Sequence, residues 1–400
     1  MTTPQGKRPL KLPEFITLMA AMISFVAMST DAMLPALPQI GDDLGVGGTN
    51  DAQLIVPLLV LGMAIGQPLF GPLSDSYGRK PAIAGGMLLF LVGCVMSITA
   101  SDLTIMLIGR VLQGIGLAGP RTVAVALIRD QYEGRAMARI MSFIMAVFIL
   151  VPALAPALGE VILLFAHWRW IFIMFVVAGV LVLTWFMIRQ PETLAHDKRA
   201  PFRLRRIALT VVEIVKIRTT LGYTIATGFV FGGFLGYLSS AQPIFDLQYG
   251  QDDMFAVYFG ILSLAIGAAA IVNARLVMRL GMRRLTRTAA SMLTALSAIF
   301  LVITVVMQGD PPFWSLIVYL MLAFFCFGWM FGNLNALAME PLGHVAGTGA
   351  AVIGSLATII SVPLAILIGQ AFDGTVLPLI AGFAILTAAT LIVSLWADRS

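Results

Sequence analysis

The strongest constraint on this sequence is a series of apolar stretches, each long enough to cross a lipid bilayer. A membrane-spanning helix needs about 20 mostly apolar residues, and within lipid only helices and closed barrels satisfy their backbone hydrogen bonds. We therefore predict an all-α membrane protein with 12 transmembrane helices. The spans are expected at approximately 15–41, 52–74, 82–100, 103–128, 138–165, 168–188, 219–245, 254–274, 288–308, 313–339, 346–372 and 375–397.

The composition excludes a water-soluble globular enzyme. Hydrophobic residues make up 59% of the chain and charged residues 11%, whereas soluble domains have about 45–50% and about 25%. Cys94 and Cys326 both lie in apolar stretches and the three histidines lie in predicted loops, so we expect neither a disulfide framework nor a metal site. A phosphate-binding glycine-rich lysine motif is also missing from the sequence. We expect a protein that is not an enzyme and has no cofactor.

The basic residues give the expected orientation. Nearly all of the 25 lysines and arginines fall in the segments on the side of both chain termini, whereas the other loops carry acids such as Asp42, Asp102 and Asp310. Because lysine and arginine concentrate in cytoplasmic loops, we expect both termini in the cytoplasm. The same imbalance explains the net charge of +5, so no nucleic-acid partner is expected.

One long polar interruption divides the predicted spans into two sets of six. We expect a first six-helix bundle over residues 1–188, a cytoplasmic linker over 189–218 and a second bundle over 219–400. Pro152 and Gly159 in span 5 have counterparts in Pro363 and Gly369, at an offset of about 210 residues. Duplicated six-helix units are typical of transporters whose halves move around a site near the middle of the bilayer.

Asp31 is the ionisable residue that most needs an explanation, because it lies deep in span 1. An ionised carboxylate at that depth costs at least ~2.5 kcal/mol, so it should face a wet cavity, meet a cation or hold a proton. The alternative is a structural role beside Pro35, whose ring leaves the carbonyl of residue 31 without a helical donor. We favour an ion or proton pathway.

Span 4 presents a basic, polar face. Arg110 lies at a depth comparable to that of Asp31, Gln113 lies one turn further on, and Arg121 falls on nearly the same face as Arg110. Arg110 has two open interpretations: a structural pairing with Asp31 or with backbone carbonyls, and a role in coupling. For Arg121 the alternative to a cavity-lining role is a side chain that extends towards the cytoplasmic surface.

Three segments carry recognisable spacings. Residues 71–80 read GPLSDSYGRK, residues 110–116 read RVLQGIG and residues 30–38 read TDAMLPALP. Through these segments the chain resembles the major facilitator superfamily, and within it the proton-coupled drug exporters of the Bcr/CflA type. The matching patterns are G-x-L-x-D-x-x-G-R-K, R-x-x-Q-G-x-G and T-D-x-x-L-P-x-L-P. Span 5 keeps Pro152, Pro156 and Gly159 but lacks the G-P-x-x-G-G core of the antiporter motif.

The resemblance implies the major facilitator fold, with two pseudo-symmetric six-helix bundles and alternating access. It implies that Asp31 takes up and releases the proton or contacts substrate, that Arg110 tunes Asp31, and that a charge cluster around Asp75 latches the cytoplasmic side. The expected function is proton-coupled efflux of small lipophilic compounds or antibiotics across a bacterial inner membrane, by a monomer. The gating loop then comprises Gly71, Asp75, Gly78, Arg79 and Lys80.

Two other functions remain open. One is a major facilitator exporter of an endogenous metabolite, such as an amino acid or a sugar; the other is a membrane receptor that transports nothing. Besides protons and the lipid bilayer, the expected partner is a small lipophilic substrate. The candidate substrate-binding residues are Met28, Met33, Arg121, Trp329, Asn333 and Asn335.

Overall fold

The computed structural model describes residues 10–46, 50–199, 201–202 and 204–399. In these ranges the chain forms 14 α-helices, with short 3-10 or π turns between some of them. The helices are α1 Leu12–Asp31, α2 Leu37–Asp43, α3 Ile55–Tyr77, α4 Arg79–Ile98, α5 Leu103–Gln131, α6 Gly134–Phe165, α7 Arg169–Arg189, α8 Leu204–Lys216, α9 Arg218–Pro243, α10 Phe255–Leu280, α11 Met282–Val306, α12 Phe313–Met339, α13 Ala346–Gln370 and α14 Leu377–Ala397.

The all-helical membrane architecture predicted from the apolar stretches is confirmed. Within the described residues, 11 helical segments are long and apolar enough to cross a membrane. A further long helix, α6, covers 32 residues, and its described apolar stretch is Leu150–Phe165. The helix boundaries follow the predicted spans closely for most of the chain.

Successive long helices run in opposite directions, as contacts at the two ends of the bundle show. We call the end where α1 begins and α14 ends the terminal end. There Arg189 at the end of α7 donates to Glu14 of α1 at 2.7 Å, and Tyr223 of α9 donates to Asp398. At the opposite end, Arg169 at the start of α7 donates to the carbonyl of Ile98 at 3.0 Å.

The helices pack closely because glycines lie at their crossings. A methyl group on Gly116 of α5 would collide with the backbone of Phe90 in α4. The G-x-x-x-G pair of α3, Gly62 and Gly66, lies against the backbone of α5 in the same way. In membranes, where lipid tails are as apolar as leucine, such close backbone approach is a main source of helix association.

Two predicted loops are helical. Residues 71–77 of the predicted gating loop continue α3, and only Gly78 lies between the helices. Its φ of 111° lets α4 begin at Arg79.

Helix α11 begins at Met282, before the predicted residue 288, because its first turns leave the membrane and carry arginines that form ion pairs. One of them, Arg287, donates to Asp398 at 2.6 Å.

The predicted linker contains a helix, α8, which the sequence analysis did not anticipate. Its exposed side chains include Leu209, Val212 and Val215, whereas Thr210 and Ile214 are buried against the bundle. Helix α8 is amphipathic, with one side packed against the bundle and the other exposed. It connects α7 to α9 at the terminal end.

Candidate functional site

Asp31 is the last residue of α1, at the point where the first span is interrupted. The chain continues through a 3-10 turn, Leu34–Ala36, into α2, and the Asp31 residue is only 5% exposed. Gly159 of α6 lies directly against the carbonyl of Ala32, where any larger side chain would collide. The glycine of span 5 thus has a local reason: Gly159 lets α6 approach the interruption beside Asp31.

Tyr237 of α9 is a buried tyrosine that interacts electrostatically with Asp31 without a hydrogen bond to it. Its side chain is 0% exposed. Its hydroxyl has no hydrogen-bond partner in the described part of the chain, while its ring packs edge-on against Phe324 with a centroid distance of 4.8 Å. Tyr237 was not among the residues predicted from the sequence, because α9 also carries Tyr223 and several hydroxyl side chains and nothing singles out this phenol.

The face of α1 that carries Asp31 becomes more exposed towards the terminal end. Met28, Ser24, Ala21 and Thr17 precede Asp31 at spacings of three or four residues, so they share its face. Of these, Thr17 is exposed, and Ala21, Ser24 and Met28 are half-buried. Because the exposure along this stripe falls from Thr17 to Asp31, we infer that the stripe borders a space open at the terminal end, with Asp31 at its buried inner end.

Of the two methionines predicted to contact substrate, the structure places one at this space. Met28 is half-buried on the stripe, whereas Met33 is 0% exposed in the turn beyond Asp31. Met33 therefore packs in the core here because the interruption after α1 turns it away from the open face.

Arg110 is fully buried, and its donors bind groups other than Asp31. It donates to the carbonyl of Ser29 in α1 at 2.8 Å, to the carbonyl of Ile55 in α3 at 3.1 Å and to the amide oxygen of Gln113 at 2.8 Å. Its guanidinium also lies 5.9 Å from the ring centroid of Phe172. Of the two interpretations of Arg110, the structure shows the pairing with backbone carbonyls.

Gln113 extends this polar network into α4. Its amide nitrogen donates to the carbonyl of Gly93 at 3.0 Å and to the hydroxyl of Ser97 at 2.8 Å. Arg110 and Gln113 together tie α1, α3, α4 and α5 by bonds that a low-dielectric interior strengthens. The R-x-x-Q spacing of span 4 thus builds a satisfied buried network.

Arg121 lies further along α5 and is exposed. In the described part of the chain it has no hydrogen-bond or ion-pair partner. The structure therefore separates the two arginines of span 4: Arg110 is buried and hydrogen-bonded through all three of its nitrogens, and Arg121 is exposed and has no partner among the described residues.

In α12, Asn333 forms hydrogen bonds with a neighbouring helix. Its amide nitrogen donates to Asn273 of α10 at 2.8 Å and to the carbonyl of Trp329 at 2.9 Å, and Asn273 donates back at 3.3 Å. Asn335 is exposed. Trp329 is half-buried, and its indole nitrogen has no hydrogen-bond partner among the described residues. Asn273 was not among the predicted residues, because the pairing of two amides on different helices depends on the tertiary structure.

A charge cluster at the terminal end joins α3, α4 and α5. Arg79 donates to Asp75 at 2.5 Å, to the hydroxyl of Ser74 at 2.8 Å and to Asp130 at 2.8 Å. Ser74 in turn donates to the carbonyl of Gly71 at 2.8 Å. The Asp75 side chain is 49% exposed while that of Arg79 is 5% exposed, so Asp75 forms the accessible edge of the cluster.

The segment after α7 is fastened to this cluster by Glu192. Its carboxylate accepts from the backbone N–H groups of Arg79 at 3.0 Å and Lys80 at 2.9 Å, at the N-terminus of α4. A carboxylate at that position satisfies orphan donors and complements the helix dipole. Lys80 itself donates to the carbonyl of Met187 at 2.7 Å. Glu192 was not among the residues predicted from the sequence.

The two halves of the chain are joined by hydrogen bonds at the opposite end. Asn50 donates to the carbonyls of Gln370 and Phe372 at 3.1 and 2.8 Å, and Gln370 donates back to the carbonyl of Asn50. Ala256 of α10 donates to Glu160 of α6 at 2.9 Å. Helix α6 runs without a break through half-buried Pro152 and buried Pro156 to reach this contact. The space below Asp31 is thus closed at the opposite end.

Comparison with known proteins places this architecture in a family. Residues 18–365 match the family described as the Major Facilitator Superfamily. A bicyclomycin resistance protein homolog of Haemophilus influenzae is 30% identical over 352 residues, covering 86% of this chain and 85% of that protein. Multidrug resistance protein D of Escherichia coli is 27% identical over 356 residues, covering 88% of each chain.

Solved structures share the fold at low sequence identity. The xylose transporter XylE of E. coli, in a partially occluded inward-open conformation, matches with a TM-score of 0.75 and 14% identity over 97% of both chains. The human organic anion transporter MFSD10 matches with a TM-score of 0.67 and 18% identity, over 97% of this chain and 100% of that one. The chain therefore belongs to the major facilitator superfamily, and its predicted resemblance to the Bcr/CflA-type drug exporters is confirmed.

Proposed function

We propose that this transporter exports small lipophilic compounds, antibiotics among them, in exchange for protons, with Asp31 as the proton site. The names of its relatives support drug export. The observation that supports proton coupling is the position of Asp31, buried at the inner end of a partly exposed stripe and in electrostatic interaction with Tyr237 of the other half. Such a carboxyl can meet water from one side and be sealed from the other.

The proposed cycle needs Asp31 to prefer its protonated form in one conformation and its ionised form in the other. A difference of one pKa unit between the two conformations corresponds to ~1.4 kcal/mol. Rearranging Tyr237 against Asp31 is a local change able to supply it, because a phenol donates to a carboxylate. The membrane potential adds ~2.3 kcal/mol per charge per 100 mV to inward proton movement.

The topology that goes with this function counts α6 as a membrane span, which brings the total to 12. We place a six-helix bundle at 1–188, the linker at 189–218 and a second bundle at 219–400, in a monomer of a bacterial inner membrane. The positive-inside rule puts the terminal end in the cytoplasm. The space below Asp31 then opens to the cytoplasm, which is the side from which an exporter loads.

A drug-susceptibility panel tests this function. A pump-deficient bacterium expressing the chain should tolerate several lipophilic compounds better than the empty-vector strain, and a protonophore should remove the difference. Protection that persists after the proton gradient has collapsed would contradict proton coupling. Competition by amino acids or sugars, with no protection against drugs, would favour the metabolite exporter instead.

Replacing Tyr237 by phenylalanine should change coupling and leave packing intact. The ring contacts with Phe324 and Phe259 remain, but the carboxyl of Asp31 loses its neighbouring hydroxyl. We expect gradient-driven transport to fall several-fold and its pH profile to move upward by about 0.5–1 unit, because the variant has no donor for the ionised carboxylate in the proposed conformation in which the Tyr237 hydroxyl reaches Asp31. Transport rates measured across a pH series check this.

Tyr319→Phe is the matched control for that measurement. The Tyr319 hydroxyl is also buried, but it shares a hydrogen bond with Ser297 at 2.8 Å. We expect the control to keep the wild-type pH profile. An unchanged profile in Tyr237→Phe would show that the Tyr237 hydroxyl has no part in coupling.

Replacing Asp75 by asparagine should slow transport without weakening substrate binding. Arg79 keeps its bonds to Ser74 and Asp130, so the fold survives, while the exposed edge of the cluster loses its charge. We expect a several-fold lower turnover at an unchanged dissociation constant, with exposed Asp253→Asn at the opposite end as the control. Wild-type turnover would count against a latch at the terminal end.

A further inference from the structure

Arg121 is an unusual residue for its depth in the membrane. It lies ten residues before Gln131, the end of α5, and so about 15 Å along the helix from the terminal end. Its side chain is exposed and has no partner in the described part of the chain. A charge on a transmembrane helix is costly unless it faces protein partners or water.

The exposed side of Arg121 faces the interior of the bundle. Eleven residues separate it from Arg110, which returns it to within ~20° of the same helix face. On that face Arg110 contacts α1, and Leu117 and Ile128 are buried. Lipid is reached on the other side of α5, where Ile108 is 48% exposed. Arg121 is therefore exposed to an internal space.

The same space reaches the second half of the chain. The guanidinium of Arg129, two turns beyond Arg121, lies 3.8 Å from the position of a methyl group on Gly347 in α13. Arg129 lies about 80° further round α5 than Arg121, and both arginines lie between the terminal end and the middle of the protein. The carboxyl of Asp31 lies beyond them and is almost fully buried.

This arrangement gives the internal space a positive potential. Arg110 is positive but hydrogen-bonded through all three of its nitrogens, Arg121 is positive and has no partner among the described residues, and Asp31 offers at most one negative charge. Charges interact more strongly in a low-dielectric, partly dehydrated space than in water. A guanidinium also binds a carboxylate in a bidentate manner.

We propose that Arg121 is a substrate-binding residue that selects lipophilic compounds carrying an anionic group over lipophilic cations. The inference rests on the proposed export function and names its substrate class. It agrees with the energetics of export, because the inside-negative membrane potential favours outward movement of an anion.

Equilibrium binding to the purified full-length protein tests the proposal with three probes of one scaffold: naphthaleneacetate, naphthaleneacetamide and naphthylethylamine. We expect the wild type to bind the carboxylate about tenfold more tightly than the amide, and the amine least, as for one charge-assisted contact. Arg121→Gln should abolish the preference for the carboxylate while leaving amide affinity unchanged. Arg121→Lys should retain part of it.

Arg279→Gln, which changes an exposed arginine at the end of α10, is the matched control and should behave as wild type. Equal carboxylate-to-amide ratios in wild type and Arg121→Gln, or a wild-type preference for the amine, would overturn the inference. Transport of the bound carboxylate is then measured in proteoliposomes with and without a pH gradient. Binding selectivity without any effect of the gradient would leave Arg121 as the selecting residue and contradict proton-coupled export.

Discussion

Cells that express Asp31→Asn should lose drug resistance entirely while inserting normal amounts of the transporter. Asparagine has nearly the shape of aspartate but cannot take up or release a proton, so the pump loses its link to the gradient. A pH difference of one unit supplies ~1.4 kcal/mol and 100 mV supplies ~2.3 kcal/mol per charge. Without a titrating group at this position, neither the pH difference nor the membrane potential can drive movement of the substrate. Growth in the presence of the most strongly exported compound measures the loss.

Asp42→Asn is the control for that experiment, because Asp42 is an exposed carboxylate in α2, close to Asp31 in the sequence. It should give wild-type resistance. Membrane content of all three proteins is quantified by immunoblot, since a loss of resistance counts only at equal amounts. Full resistance of cells carrying Asp31→Asn would reject Asp31 as the coupling residue.

Arg110→Gln should destabilise the protein on the order of 3 kcal/mol. The variant leaves the carbonyls of Ser29 and Ile55 without their buried donors and breaks the bond to Gln113. These bonds join α1 and α3 to α5, so the break loosens the segment that ends at Asp31. We expect a clearly lower melting temperature in detergent and transport reduced to background.

Arg121→Gln provides the comparison for Arg110→Gln, because it removes the same charge from the same face of α5. Arg121 has no partner in the described residues, so its replacement should leave the melting temperature unchanged. If both variants melt at the same temperature, the network around Arg110 does not stabilise the fold. A wild-type melting temperature for Arg110→Gln, with an altered pH profile, would instead favour direct tuning of Asp31.

The fold could be predicted from the sequence because each span carries its own signal. Apolar length locates a transmembrane helix without any knowledge of its neighbours. Charges misled the prediction only at helix ends, as at Met282, where arginines extend a helix out of the membrane. Helix α8 was missed because its amphipathic pattern is short and lies within a polar segment.

The candidate site could be predicted only residue by residue. Depth and charge identified Asp31, Arg110 and Arg121, but not their partners. Asp31 and Tyr237 are more than 200 residues apart in the sequence, and their electrostatic interaction depends on how the two halves pack. The same holds for the carbonyls that satisfy Arg110, because every residue carries a carbonyl and the sequence gives no reason to choose Ser29.

Transport by reconstituted protein under an imposed pH gradient tests Asp31 most directly. The compound with the strongest protection in the susceptibility panel is followed in proteoliposomes, together with the internal pH. The account predicts that the wild type accumulates the compound against its gradient while protons move the other way. Asp31→Asn should exchange the compound across the membrane but neither accumulate it nor move protons. Accumulation and proton movement by Asp31→Asn at wild-type rates would contradict the account.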